Sequence, residues 1–233
     1  MNLQIWEIKM NKLFQTKHEL WLHINFASFA INNEEIKAKL YDFSQIAFRH
    51  MKWIADDILK SNDSYNYDRN MMLYKQENVF DVLKSLKEVT LQSMQLYTDT
   101  ILHKRVKTDD EYLLEYLEQV LKDENNNAKI TAFNMQRKYL DKNLAQEQID
   151  ALTLFLFEES YKEYELILVY AFMQARTDSL IQFNVFQDLI DESHFHLKSF
   201  GNMMAKLGIL ALPRELHELT YIVKDLKQFV TDR

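Results

Sequence analysis

The chain has no cysteine, two glycines and one proline among its 233 residues. Without thiols there are no disulfides, thiolate zinc sites, iron–sulfur clusters or cysteine nucleophiles, so a bound metal must be held by oxygen and imidazole nitrogen. Scarce glycine and proline leave little material for tight turns, bulges and sheet corners, which argues for long helices and few loops. A basic excess is also missing. The formal net charge is −7, with no surplus of Lys and Arg to neutralise phosphates, so nucleic acid is not an expected partner. No apolar run approaches membrane-spanning length; the strongest, over residues 166–173, stops at Gln174-Ala175-Arg176. The N-terminal stretch carries charges where a signal peptide needs an apolar core, so the expected location is cytoplasmic, with no membrane partner. Phosphate loops, glycine-rich dinucleotide turns and nucleophile elbows are absent from the sequence.

What is present is apolar material, 47% of the residues, patterned for helices. Leu13, Leu20, Ile24, Ala27 and Ile31 follow the helical period and predict a first helix over 11–31. Asn33 can cap a second over 34–60, whose apolar face runs through Ile36, Leu40, Phe43, Ala47, His50, Ile54 and Ile58. A polar loop is expected over 61–70, then helices over 74–106 and 109–124, with Thr108 and Glu111 as a capping box between them. A short helix over 128–143 follows, then long helices over 146–176 and 178–207. Gly208 suits a left-handed residue after the last of these, and Pro213 starts a final helix to 231. No segment alternates like a strand. The expectation is a single all-α domain over 1–233, with core hairpins 11–60 and 146–208, an insertion over 74–143 and a C-terminal helix over 213–231.

Two glutamate–histidine pairs share one spacing. Glu19 and His50 are 31 positions apart, and so are Glu163 and His194. Each pair straddles a polar connection, and antiparallel helices of equal rise bring residues equidistant from a turn to one height. Two such hairpins packed together can build a metal site inside a four-helix bundle. Asp191, one turn before His194, adds a carboxylate to that face. The matching position before His50 is Ala47, where His23, one turn after Glu19, can compensate. The inward metal-ligand set is then Glu19, His23, His50, Glu163, Asp191 and His194. Glu192 and His196 form a second pair rotated away. Against this stands the plainer role of each residue: a glutamate is usually a solvated charge, and a histidine in an apolar stripe is often a hydrogen-bonded core residue. The zinc-protease spacing fails at His18-Glu19, because Leu22 stands where the second histidine belongs.

On these residues the chain resembles the ferritin-like superfamily, in its rubrerythrin and bacterioferritin branch. The stretch NNEEIKAKLYDFSQIAFRHMKWIADDI is similar to that family's second helix, with His50 on the motif histidine and Ala47 where the motif glutamate belongs. LIQFNVFQDLIDESHFHLKSFGNMMAKLG is similar to the fourth, with Asp191 for the glutamate and His194 for the histidine. Glu19 and Glu163 would be the single glutamates of the other two helices. LLEYLEQVLKDENNN also resembles a fourth helix, with Glu124 on the motif glutamate and Asn127 in place of the histidine. Hairpin 11–60 therefore pairs either with 74–124 or with 146–208; the second is favoured because ligand-capable residues survive there.

The resemblance implies a ferritin-like four-helix bundle with an additional hairpin and a C-terminal helix. It implies iron or manganese, one ion or two, and redox chemistry with oxygen or peroxide. The alternative is a non-catalytic helical protein on a degenerate ferritin-like scaffold, acting through protein–protein contacts, with a homodimer as its candidate assembly. A helical di-iron oxidase of the haem-oxygenase-like class is a related enzymatic alternative.

Overall fold

A computed structural model describes residues 3–61, 64–70, 78–122, 144–210 and 213–222. Among the described residues the fold is all-α. The helices are α1 (Leu3–Ala30), α2 (Glu34–Lys60), α3 (Val79–Met94), α4 (Ile101–Leu121), α5 (Gln146–Gln174), α6 (Leu180–Lys206) and the short α7 (Glu218–Tyr221). None of them is long and apolar enough to cross a membrane.

Three hairpins stand in chain order, α1–α2, α3–α4 and α5–α6, and α1 is the element they share. It packs along α2 and also meets α3 and α6, while α2 meets α4. Its sequence explains that position. From Leu20 to Ala30 every side chain except His23 is buried, so this stretch has no solvent face to offer. By contrast, α2 is one-sided: Ile36, Leu40, Phe43, Ala47, Met51, Ile54 and Ile58 are buried along a single stripe. Gly201 of α6 sits directly against the Phe29 ring of α1, where a β-carbon would collide with that ring.

The ends of the helices follow local chemistry. Asn33 caps α2 as expected, its side chain accepting from the amides of Glu35 and Ile36 at 3.0 and 3.1 Å. Gly208 has φ 74°, the left-handed turn that ends α6. Several boundaries differ from expectation. The helix predicted over 74–106 is broken at 95–100. Thr100 caps α4 through the His103 amide, and Thr98 donates its own amide to His103 Nδ1 at 2.9 Å. Thr108 is no cap; its hydroxyl donates to the Lys104 carbonyl inside α4. Ser179, not Thr177 or Asp178, caps α6. No helix starts at Pro213: the chain stays irregular to His217, whose ring caps α7. The predicted helix over 128–143 lies outside the described residues, as does the part of the predicted C-terminal helix over 223–231.

Segment 64–70 is not the solvated loop expected. Tyr65, Tyr67 and Arg69 are buried while Ser64, Asp68 and Asn70 are exposed. Tyr67 donates to the Leu168 carbonyl of α5 at 2.9 Å and packs against Tyr221 and Phe14. Arg69 donates to the Pro213 carbonyl.

Candidate functional site

Two interior places concentrate polar chemistry. The first lies between α1, α2 and α4. Lys17 is fully buried, and its ammonium contacts Asp110 Oδ2 at 2.5 Å. Tyr97 donates its hydroxyl to the same oxygen. His50 completes the group: Nε2 is 2.9 Å from Asp109 Oδ2, while Nδ1, 3.7 Å from Asp110 Oδ1, makes no hydrogen bond among the described residues. Burial lowers the Lys17 pKa, and the charges of Asp110 and Asp109 oppose that shift. Burial also lowers His50, helped by the Lys17 charge and opposed by the two aspartates, to about 4. The imidazole is therefore neutral at pH 7.

The second place is a cavity of about 330 Å³ that reaches His194 and is bordered by α2, the end of α5, α6 and Tyr65 and Tyr67. His194 is buried edge-on against Phe48 and Trp21, with ring centroids 4.7 and 5.7 Å away. Among the described residues neither of its ring nitrogens has a hydrogen-bond partner. Burial, with a smaller push from the Lys52 charge, lowers its pKa to about 3.

The six predicted metal ligands are spread over several places. His50 takes its partners from α4, so the hairpin expected to lie outside the site supplies them. Glu19 is on the outside of α1 and accepts from the Asn70 amide at 2.7 Å. The residue of α1 that shares Asp110 with His50 is Lys17, two positions earlier. Two residues turn a helix by about 200°, so these side chains point oppositely. The same rotation separates Glu163 from the His194 ring. Glu163 Oε1 meets His196 Nδ1 at 3.1 Å, and Glu192 is 4.0 Å from the other nitrogen of that ring. The pair expected to be rotated away is thus the one that Glu163 reaches. Asp191 lines the cavity with His194 but is exposed and accepts from Gln187 at 2.8 Å. His23 is half-buried on α1, its pKa lowered to about 4 by burial and by the Arg69 charge. Among the described residues no three carboxylate or imidazole side chains group so as to hold a metal ion.

Sequence reasoning missed Lys17, Asp109, Asp110, His18 and the 64–70 segment. His18 is fully buried beside Trp21 and Tyr164, its ring nearly parallel to both, with Nε2 3.1 Å from the Tyr164 hydroxyl. A legible signal existed for the segment: in Ser64-Tyr65-Asn66-Tyr67-Asp68-Arg69-Asn70 the large side chains alternate with small polar ones, as extended chain on a packed surface does. Lys17 had none, since a lone lysine in a helical stripe reads as an exposed charge.

Compared with protein-family models, with curated proteins and with solved structures, the chain matches none.

Proposed function

We propose that this chain is a non-catalytic helical protein on a degenerate ferritin-like scaffold, acting through protein–protein contacts, and that its partner is a second copy of itself. Two features support a ferritin-like origin: long hairpins α1–α2 and α5–α6, and the seating of α6 on α1. The interior speaks for loss of metal chemistry. Lys17 supplies the positive charge to the carboxylates and imidazole of the α1–α2–α4 cluster, and a covalently attached ammonium cannot change oxidation state or open a coordination position. Of the six candidate ligands, Glu19, His50, Glu163 and Asp191 are hydrogen-bonded to other groups of the chain.

The observation that carries the reading is the outer face of α6. Ile181, Val185, Leu189 and Phe195 are 78%, 50%, 37% and 63% exposed, and they fall within a third of the helix circumference, opposite buried Phe186, Ile190 and Leu197. Large apolar side chains exposed opposite the core, here with Asp188 and Glu192 among them, mark a contact surface. Two copies of one helix packed antiparallel about a two-fold axis put Ile181 of one near Phe195 of the other, a closed arrangement. Asp188 and Glu192 lie on the same stripe, so the two faces repel at low ionic strength. Association is therefore expected to strengthen with salt.

Light scattering coupled to size-exclusion chromatography tests this. A dimer is expected at micromolar concentration in moderate salt, and Val185→Glu with Phe195→Glu is expected to yield a folded monomer. A wild-type monomer under those conditions, or a dimer that survives both substitutions, would refute it.

A further inference from the structure

We propose that the cavity at His194 is a binding site for a small uncharged aromatic molecule bearing a primary amide or hydroxyl group. It is independent of the contact surface on α6, whose stripe faces the other way.

The cavity's size comes first. About 330 Å³ is at the lower end of ligand-sized pockets and suits a single substituted ring. Its walls are mixed: Phe14, Phe48, Met51, Tyr65 and Ile190 supply rings and aliphatic surface, and amide and charged side chains stand among them. A ring finds edges and faces to pack against.

Of the polar groups on the lining, two are deeply buried. His194 is 4% exposed and Gln174 is 2% exposed. Both ring nitrogens of His194 and Oε1 of Gln174 lack partners among the described residues, although buried polar atoms are ordinarily satisfied. The Gln174 amide nitrogen is already committed, donating to the Phe183 carbonyl at 3.0 Å and to Gln187 Oε1 at 3.2 Å. The unpaired polar atoms that these two lining residues hold are one imidazole N–H, one imidazole lone pair and one amide oxygen. A primary amide answers such a set with its carbonyl toward the N–H and its NH₂ toward an acceptor, and a hydroxyl can likewise donate and accept.

Charge at the mouth selects against ions. Arg49 and Lys52 are balanced there by Asp56 and Asp191. Lys52 is held by Gln187 at 2.8 Å, and Gln187 in turn donates to Asp191. A carboxylate on the ligand would be buried against a neutral imidazole, and an ammonium would find no buried carboxylate on the lining; either charge costs desolvation without a partner.

The test uses benzamide, benzoate and benzylamine with the full chain, in which the histidine rings are labelled with ¹⁵N. Benzamide is expected to shift the His194 ring resonances saturably in the millimolar range, with benzoate and benzylamine at least about tenfold weaker. Ala175 is half-buried on the lining, so Ala175→Phe narrows the cavity from its edge and is expected to weaken benzamide about tenfold while circular dichroism is unchanged. His194→Phe keeps the ring and removes the nitrogens; it is expected to lose the preference for benzamide over toluene. The proposal is overturned if benzamide leaves the His194 resonances unmoved, if benzoate or benzylamine binds as well, or if Ala175→Phe binds unchanged. It is equally overturned if micromolar Mn(II) broadens the His194 resonances selectively, which would make the cavity a metal site.

Discussion

His50 and His194 stand at corresponding places in two helical hairpins, each 31 positions after a glutamate, and their surroundings are opposite. His50 is between two aspartates of α4 and close to the Lys17 ammonium. His194 has aromatic rings around it and, among the described residues, no hydrogen-bond partner. Equal spacing within a hairpin sets equal height and nothing more. What a side chain meets at that height depends on the helix packed against the hairpin from outside: α4 brings Asp109 and Asp110 to one histidine, whereas α1 brings Trp21 to the other. The first histidine has one ring nitrogen hydrogen-bonded by its own chain; the second, among the described residues, has neither.

The largest expected effect lies at the first histidine. Lys17→Met strands the Asp110 carboxylate in the interior and is expected to cost about 3–5 kcal/mol in urea denaturation. The double variant Lys17→Met with Asp110→Leu removes both charges and is expected to recover much of that loss. A single variant costing under about 1 kcal/mol would mean that the ion pair does not bind α1 to α4.

Acid comes next. His18 and His194 are held neutral in the folded chain, with pKa values near 3 against an ordinary 6.5. Below about 6.5 the unfolded chain takes up protons that the folded chain refuses. Each of these histidines therefore lowers stability by about 1.4 kcal/mol per pH unit as pH falls from about 6 toward 4. Their contribution is flat above pH 7.5. Urea melts at pH 7.5, 6 and 5 measure the slope, and replacing His194 with Phe should remove roughly a quarter of it, because His18, His23 and His50 are held neutral over the same range. No change in slope on that replacement would place the titration elsewhere.

The sharpest comparison is also the smallest in size. His50→Phe deprives Asp109 and Asp110 of a partner and is expected to cost about 2 kcal/mol. His194→Phe removes two unpartnered nitrogens from an aromatic pocket and is expected to change stability by no more than about 0.5 kcal/mol. Equal losses for the two variants, read from urea midpoints, would show that the two environments do not differ in energy.

Much of the architecture was legible along the chain. The hairpin from Leu13 to Ile58 follows from apolar spacing and the Asn33 cap, and the end of α6 from Gly208. The break at 95–100 was not, because it rests on a contact between Thr98 and the His103 ring that forms only once α4 starts at Thr100. Of the candidate site, the sequence marked His50 and His194 as buried-face histidines, and both are buried. It misplaced their neighbours. A helical residue's height is set by its count from a turn, but its direction turns by about 100° per residue, so Glu19 and Lys17 at nearly the same height face opposite ways.

By itself, then, the sequence determined the helical class, the hairpin turns and the chemistry open to a chain without thiols. These depend on periodicity, caps and composition, which act over a few residues. Only the tertiary structure decided that Lys17 would be buried with Asp110, that Tyr65, Tyr67 and Arg69 would turn inward, and that His194 would face an open cavity. Those outcomes depend on which helix packs against which face, and the contacts that settle it join residues 93 to 146 positions apart.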